Sequence, residues 1–544
     1  MRRTSITLAA VISLWCLGGS ANGPKFYSDD PIGRDPETQD ASGVRRTRIS
    51  ETFDVMENSF LGAGDDEAKK AANINTIDEV PDSSWFTNRA GRRALSVDEL
   101  ARGADRGTGP VGKWTVTGRK SEGVTPGLTI KDETGEIYWI KFDPKTNPEM
   151  ASGAEVMSTK LFHAFGYHVP ENYLATFRRE DLSIAPGAMV KDQDGRDQPL
   201  RWRDIDGVLE RAAQNADGTY RVLASRNLAG DPLGPFRYHG TRPDDPNDIF
   251  PHEHRRELRG LLAFSAWLNH DEVRSANSLD TLIRDGGRAT VRHNLLDFGS
   301  TLGSGSIQAQ SRRAGNEFLW EARPTLITML TLGLWVRPWI KVPYPDLPAV
   351  GRLESAYFRP ELWKPDYPNP AFKNARADDL FWAARIIAAI PDDGLRAVVG
   401  TAKYSDARAT EYLLETLRVR RSKILGVWLN GTNPVVGAEL SASGVLTFRN
   451  AAEQAGVAKP AERYTIEWSR FENAAATHQT VGSEETVPTT RAQAPNALFD
   501  GNPAFVAAKI RGHHPDHPAW AEPVTVYFRR GDRGWTLVGL ERTP

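Results

Sequence analysis

Three short stretches of sequence decide the expected fold: EIYWIKF at residues 136–142, SGAEVMSTKLF at residues 152–162, and LLDFG at residues 295–299. Apolar residues alternate along the first stretch as in a β-strand, which places Lys141 on one face of a predicted sheet. The second stretch has the apolar spacing of an α-helix, with Glu155 beside the apolar stripe. The third stretch follows a predicted hairpin and contains Asp297. The pattern therefore predicts an α+β fold in which a lysine, a glutamate and an aspartate lie on separate elements.

The surrounding sequence predicts further strands and helices. Two strand-like runs, at 113–118 and 127–132, precede the first stretch. Asn147 is predicted to cap the helix that contains Glu155, and Gly166 is predicted to end it. The other predicted elements are a helix at 251–269, a hairpin at 281–296 turned by Asp285, Gly286 and Gly287, a buried helix at 324–336, helices between 378 and 429, and a hairpin within 524–541.

The polar residues between these elements are of the types that phosphoryl transfer needs. Such a site requires a cation at the phosphates, a carboxylate that fixes this cation, a residue near the attacking hydroxyl, and metal ligands. The polar stretch NHDEVRSANSLD at 269–280 supplies Asp271 and Asn277, and Asp297 follows the next hairpin. Oxygen atoms of these side chains suit Mg²⁺. The sequence therefore contains each residue type that such a site needs.

With these residues in place, the segment from about 111 to 429 resembles the atypical protein-kinase-like families, closest to HipA, CotH and the secretory-pathway kinases. The resemblance implies Mg²⁺ and ATP as cofactors. It implies these roles: Lys141 as the phosphate-binding lysine, Glu155 as its ion-pair partner, Asp271 as the catalytic aspartate, Asn277 and Asp297 as metal ligands, and Lys120 and Ser121 as phosphate contacts in the segment GRKSEGVTPG at 118–127. Asn277 follows Asp271 by six positions, whereas five is usual in kinases.

The expected architecture is α+β, a two-lobed protein-kinase-like domain with an N-terminal wrapping arm and a C-terminal β-sandwich-like domain. The predicted parts are a signal peptide at 1–21, an extended arm at 22–107, an N-lobe at 108–235, a C-lobe at 236–432, and a small β domain at 433–544. The expected partners are a nucleotide and an unknown protein or small-molecule acceptor. An envelope partner for the C-terminal β domain is compatible with this architecture.

The first 21 residues have the pattern of a secretory signal. Arg2 and Arg3 precede an apolar run at 6–17, and small residues lead to a cleavage position after Ala21. The apolar run is too short for a permanent membrane-spanning helix. Cys16 raises the alternative of a lipid anchor, but the preceding tryptophan is bulky where acylation sites need a small residue. We therefore expect export to the periplasm or the extracellular space.

Composition excludes several classes of function. The chain has 544 residues and a formal net charge of -2, so no basic field attracts nucleic acid. Cys16 is the only cysteine, so the expected mature chain forms no disulfide and has no thiol nucleophile or cysteine-ligated metal. A G-x-S-x-G motif does not occur, and a serine hydrolase therefore has no support.

The charged site residues also have ordinary structural interpretations. A lysine at a strand end is commonly a surface residue, and a glutamate on a helix flank is commonly solvated. Asp271 and Asp297 can be turn residues without a chemical role. Because exported bacterial compartments hold little ATP, the second hypothesis is an exported binding or scaffold protein on a degenerate kinase fold.

Two groups of histidines raise the question of a metal site. His252 and His254 are two positions apart in the first turn of a predicted helix, a spacing that does not place two ligands on one face, so we predict surface residues. His513, His514 and His517 form a denser group with two prolines, for which a polar loop is the favoured interpretation.

Overall fold

The computed structural model describes residues 23–67, 69–119, 127–192, 195–332 and 334–543. The predicted signal peptide, Lys120 and Ser121 lie outside the described residues. Within the described ranges, no helix has the length and apolar character needed to cross a membrane. Helices and strands are mixed throughout, so the α+β class predicted from the sequence is confirmed.

The N-terminal segment has little regular structure among its described residues. It contains the short helices α1 (Glu51–Met56) and α2 (Val97–Arg102) and a π-helical turn at Glu57–Leu61. Phe26 packs against Phe471 and Tyr527 of the C-terminal strands, with ring centroids 5.8 and 5.1 Å away. The segment therefore packs against parts of the chain that are distant in sequence.

A six-stranded sheet follows this segment. Its strands are β1 (Trp114–Arg119), β2 (Gly127–Lys131), β3 (Ile137–Phe142), β4 (Asn172–Phe177), β5 (Leu182–Ile184) and β8 (Tyr220–Arg226), in the order β4-β8-β3-β2-β1-β5. A hairpin of β6 (Met189–Lys191) and β7 (Asp197–Pro199) and the helix α4 (Trp202–Leu209) connect β5 to β8. In β3, Tyr138, Ile140 and Phe142 are buried in one core cluster, as the alternation predicts. Lys141 consequently lies on the opposite face of the sheet.

Helix α3 (Met150–Phe165) packs beside this sheet and is buried along nearly its whole length. The predicted cap is wrong, because the residue before the helix is Glu149 and Asn147 instead donates to the carbonyl of Pro348 at 2.9 Å. The predicted C-terminal stop is confirmed. Gly166 has a φ of 131°, and a Cβ there would lie 2.2 Å from the ring of Phe86.

A three-stranded sheet and a buried helix form the next part of the chain. The sheet has the order β11-β10-β9, with β9 (Asp231–Gly234), β10 (Ser278–Asp285) and β11 (Arg288–Leu295). Gly286 and Gly287, both at positive φ, form the two-residue turn of the predicted hairpin. The predicted helix at 251–269 is a 3₁₀ turn at His252–His254 followed by α5 (Arg256–Leu268).

The prediction that His252 and His254 are surface residues is wrong. Both are buried, with 2% and 5% of their surface exposed. The Nε2 atom of His252 lies 2.7 Å from Asp248, and Nε2 of His254 lies 2.9 Å from Asp65. Asp65 comes from a distant segment, and Asp248 lies four positions before His252 but outside the predicted helix, so the helical spacing gave no sign of either carboxylate.

The predicted buried helix at 324–336 is also wrong. Helix α6 (Ala322–Leu330) has no buried residue, and Met329, Leu330 and Leu334 are 68%, 74% and 87% exposed. No other helix or strand of the described chain packs extensively over this helix. An apolar run predicts burial only if a second element covers it, and here none of the described elements does.

Helices follow, and then strands, to the end of the chain. The helices are α7 (Pro370–Lys373), α8 (Ala377–Ala388), α9 (Asp392–Gly400) and α10 (Ala407–Trp428), which agrees with the helical prediction for 378–429. The strands form two sheets. The first sheet contains β12 (Val435–Leu440), β13 (Val445–Asn450) and β17 (Arg491–Gln493), and the short helix α11 (Ala451–Gln454) follows β13. The second sheet contains β14 (Arg463–Glu472), β15 (Thr477–Thr480), β16 (Glu485–Val487), β18 (Phe505–His513), β19 (Val524–Gly531) and β20 (Gly534–Arg542). The predicted final hairpin is β19 and β20.

Candidate active site

The candidate site is centred on Lys141, near the end of β3. Its Nζ atom lies 2.8 and 3.0 Å from the two carboxylate oxygens of Glu155 and 2.8 Å from Oδ1 of Asp297. Two carboxylates that are distant in sequence therefore bind one ammonium group. We call Lys141, Glu155 and Asp297 the charged triad.

Glu155 is held inside the fold by the position of α3. The side chain is only 3% exposed, so its charge is removed from bulk water and needs a partner. Because α3 packs beside the sheet, Glu155 faces the strand that carries Lys141. The sequence predicted the residue as an ion-pair partner, and the structure brings the two together.

Asp297 lies in the turn that follows β11. It is a non-glycine residue in the left-handed region, with φ 55°, a conformation that the surrounding structure must hold in place. The next residue, Phe298, is fully buried and stacks on Phe162 of α3 with ring centroids 4.7 Å apart. This packing fixes the turn against α3 and sets the position of Asp297 opposite Lys141.

The triad has one positive and two negative charges. Burial by itself would lower the pKa of Lys141, but attraction to Asp297 and Glu155, together with their hydrogen bonds, raises this pKa above its ordinary value. Lys141 is therefore protonated at any physiological pH. The surplus negative charge lies on the triad, where Asp297 is the most exposed member at 36%.

Asp271 lies in the loop after α5. Asn269 ends that helix in the left-handed conformation, with φ 51°. Asp271 is buried, and Gln310 donates from Nε2 to its Oδ1 at 2.7 Å. Burial raises the pKa of Asp271 well above its usual value, and the negative charges of Asp366 and Glu272 raise it further. In this arrangement Asp271 holds a proton more readily than an ordinary aspartate.

Asn277 ends a 3₁₀ turn directly before β10. Its amide nitrogen donates to the carbonyl of Glu272 at 2.9 Å, so the amide oxygen is the atom left to accept a hydrogen bond or bind a cation. The backbone nitrogen of Leu296 donates to the carbonyl of Asn277 at 2.9 Å. The backbone of Asn277, the predicted metal ligand, is thus hydrogen-bonded to Leu296, the residue that precedes Asp297.

Gln310, which no sequence motif indicates, connects Asp271 to the turn that carries Asp297. Besides its bond to Asp271, its Nε2 lies 3.4 Å from the carbonyl of Ser300, which also accepts from Nδ1 of His270 at 3.3 Å. Burial lowers the pKa of His270 to about 4, so this ring is neutral. Gln310 lies 39 positions from Asp271 in a segment without a recognisable motif, so no local signal could have identified it.

Lys120 and Ser121 lie outside the described residues, and their predicted contact with phosphate stays a prediction. The strands on either side of that segment are described. Gly127, the first residue of β2, pairs with Lys141 on β3. Gly127 therefore lies directly opposite the lysine of the triad.

The side chains that are present fit a divalent cation. Asp297 and Asn277 offer oxygen atoms, which Mg²⁺ prefers, and the triad supplies a negative surplus. Gly299 adds a space that a larger residue would fill, since a Cβ there would lie 3.4 Å from Oδ1 of Asp297 and 3.4 Å from Oε2 of Glu155. The residues thus fit Mg²⁺ at the exposed side of the triad.

A second group of potential metal ligands is formed by Asp65, Glu253 and His254, whose ligand atoms lie within 4.8 Å of one another. Arg259 can only donate, so Nδ1 of His254 accepts its hydrogen bond and Nε2 carries the proton that it shares with Asp65. Glu253 accepts from the backbone nitrogen of Asp65 at 3.2 Å. These hydrogen bonds are those of a structural network, and we infer no metal there.

The sequence matches no protein-family model and no curated protein. The solved structures that are similar in part include two kinases. The Helicobacter pylori proinflammatory kinase CtkA aligns with a TM-score of 0.32 and 11% identity over 58% of this chain and 94% of its own. The Golgi casein kinase aligns with a TM-score of 0.24 and 9% identity over 72% of this chain and 96% of its own. Similarities of this size do not establish a shared fold, so the functional argument depends on the geometry of the site.

Proposed function

We propose that the chain is an exported phosphotransferase that uses Mg²⁺ and ATP, with a two-lobed kinase-like domain over about 108–432. One observation carries the proposal: the ammonium of Lys141 lies 2.8 Å from a carboxylate oxygen of Glu155 and 2.8 Å from one of Asp297. Asp297 is 156 positions away from Lys141 in the sequence. A surface lysine is solvated, whereas this side chain is only 17% exposed and is paired on two sides. Such an arrangement is suited to binding phosphate beside a metal ion.

Each residue has a role in the proposed reaction. Lys141, oriented by Glu155, neutralises charge on the phosphates of ATP, and Lys120 and Ser121 are proposed to contact them. Mg²⁺, held by Asp297 and Asn277, would supply further charge neutralisation. Asp271 orients the acceptor hydroxyl, whose oxygen bonds to the γ-phosphorus while the bond from that phosphorus to the bridging oxygen of ADP breaks. The hydroxyl proton leaves to Asp271 or to water.

A cavity next to the Asp271 loop gives space for an acceptor. It has a volume of about 540 Å³, and its lining includes Asn269, Trp335, Trp339 and Trp363. Trp363 donates to Oδ1 of Asn269 at 2.9 Å, which connects the cavity wall to the loop. We propose this cavity as the acceptor side of the site, with the chemical class of the acceptor left to experiment.

The proposal is tested by nucleotide-dependent stabilisation. A ligand that binds the folded state at 100 times its Kd stabilises it by about 2.7 kcal/mol. We expect millimolar Mg²⁺–ATP to raise the Tm of the purified protein, and Lys141→Met and Asp297→Ala to abolish the rise. Asp271→Ala is expected to retain the rise and to lose transfer of radiolabelled phosphate to an acceptor or to water.

Lys145→Met is the matched control, because Lys145 lies four positions from Lys141 and is exposed. This variant should respond to Mg²⁺–ATP as the unmodified protein does. If the unmodified protein shows no rise in Tm at any millimolar nucleotide concentration, the proposed activity is refuted.

One observation favours the alternative of an exported, non-catalytic binding or scaffold protein. Burial and the nearby Asp366 and Glu272 raise the pKa of Asp271, and Gln310 already occupies its Oδ1. Because Gln310 already donates to one oxygen of this buried carboxyl, that oxygen is not open to an acceptor hydroxyl. Nucleotide-dependent stabilisation without phosphate transfer or ATP hydrolysis would establish this alternative, with the C-terminal strands as the candidate attachment surface in the envelope.

A further inference from the structure

A second cavity lies away from the charged triad and has a volume of about 740 Å³. Its walls are the segment after α2, the C-terminal end of α3, the residues after β8, and part of β11. None of the proposed catalytic, nucleotide or metal residues that the structure describes lines it. The charged and titratable side chains in the lining are Arg89, Arg102, Arg106, Arg226, Arg292, His163, His168, Asp105 and Glu171.

The lining is strongly positive. Five arginines face two carboxylates, a formal charge of +3. Burial lowers the pKa of both His163 and His168 to about 3, so these rings are neutral. We call this surface the arginine cavity.

Both carboxylates of the arginine cavity are already engaged. Asp105 pairs with Lys160, which is not part of the lining, at 2.5 Å. Glu171 pairs with Arg106 at 2.8 Å and with Arg226 at 3.3 Å, and it also accepts from the hydroxyl of Tyr173. Neither carboxylate therefore neutralises the remaining arginines.

The other three arginines lack a carboxylate partner in the cavity. Within the described part of the chain, the guanidinium groups of Arg102 and Arg292 make no hydrogen bond or ion pair. Arg89 uses one nitrogen to donate to the carbonyl of His163 at 2.8 Å, and so covers the negative C-terminal end of α3. Burial lowers the pKa of Arg89 to about 10; the charge of Asp82, outside the cavity, opposes this shift, and the nearby charge of Arg292 adds to it. Repulsion between these cations is a cost that a bound anion would relieve.

We propose that the arginine cavity binds a small polyanion, a molecule with two or more phosphate groups. The volume is within the range of small-molecule sites, about 300 to 1,000 Å³. Guanidinium groups bind phosphate through paired, charge-assisted hydrogen bonds, and several converge here from four segments of the chain. This binding site is separate from the charged triad and does not depend on the proposed phosphotransferase activity.

Inorganic pyrophosphate is the probe, used without divalent cations. We expect it to raise the Tm of the full protein and to give a binding isotherm in titration calorimetry, with affinity that falls as salt is added. The double variant Arg102→Gln/Arg292→Gln is expected to weaken binding by at least about tenfold, because each substitution removes a charge-assisted contact. Both side chains are exposed at the cavity wall, so the variant should fold, which circular dichroism would verify.

Arg203→Gln/Arg323→Gln is the matched control, since both of these arginines are exposed and lie outside the cavity. It should bind pyrophosphate normally, and so should Lys141→Met, which separates this cavity from the charged triad. The proposal is overturned by any of three results. These are absence of binding at millimolar pyrophosphate, equal binding by the cavity variant and its control, or loss of binding in Lys141→Met alone. If the double variant fails to fold, the two single variants are measured by the same titration and judged by the same outcomes.

Discussion

Replacing Lys141 by methionine should destabilise the fold by about 3 kcal/mol. The substitution keeps an unbranched apolar stem and removes the ammonium. It leaves the carboxylate of Glu155, 3% exposed, without its counter-ion. Breaking a buried pair in this way typically costs about 3–5 kcal/mol. The contact with Asp297 adds little, because that side chain is 36% exposed and its charge is screened by solvent. We therefore take the lower end of the range.

Urea unfolding followed by tryptophan fluorescence measures this change at constant m-value. Lys141→Met should lose about 3 kcal/mol, and Lys145→Met should stay within about 0.5 kcal/mol of the unmodified protein. Adding Glu155→Gln to Lys141→Met should recover at least about 1 kcal/mol, since the buried charge that Lys141 balanced is then gone. Equal stability of Lys141→Met and Lys145→Met would refute the reasoning.

The pH dependence of this difference follows from the raised pKa of Lys141. A lysine whose folded-state pKa exceeds its ordinary value of 10.5 stabilises the fold fully below that ordinary value, and the contribution is lost as pH rises through the raised pKa. The contribution of Lys141 should therefore be constant between about pH 6 and 9.

Three further substitutions test other parts of the site and fold by thermal unfolding. Asp271→Asn should raise the Tm by a few degrees more at about pH 8 than at about pH 5, because a buried carboxyl with a raised pKa costs stability as pH climbs above its ordinary value. Gly299→Ala should cost about 1–2 kcal/mol, since the new Cβ lies 2.8 Å from Oγ of Ser306, and Ser306→Gly in the same chain should restore most of it. Gly166→Ala should cost about 3 kcal/mol through its φ of 131° and the clash with a buried ring, whereas Gly207→Ala, with open space in a helix, should be neutral or stabilising.

The elements around the triad were predictable because their signals are local. Alternation in β3 placed Lys141 on the face opposite Tyr138 and Ile140, and the structure has this arrangement. The apolar stripe of α3 and the glycines of the β10–β11 turn likewise depend on neighbours in sequence. Each of these patterns determines the conformation of the single helix, strand or turn that contains it. That conformation does not depend on distant parts of the chain.

The features that the sequence did not predict depend on distant partners. His254 is buried because Asp65, 189 positions away, accepts from it. Helix α6 is exposed because no described element covers it, although its composition resembles that of a core helix. Gln310 reaches Asp271 across 39 positions. In each case the deciding contact is between segments whose relative position only the tertiary structure provides.

The charged triad holds β3, α3 and the turn after β11 together, so it contributes to the fold whether or not a nucleotide binds. A variant of Lys141 that loses activity would therefore not by itself establish a catalytic role, since the loss can follow from a weaker fold. The response of the Tm to nucleotide separates the two effects, because it compares each variant with itself. Glu155→Gln is informative here, since it keeps the shape of the side chain while Lys141 retains Asp297. If it responds to Mg²⁺–ATP with unchanged affinity, Glu155 serves the fold alone, whereas a weakened response places its charge in the nucleotide site.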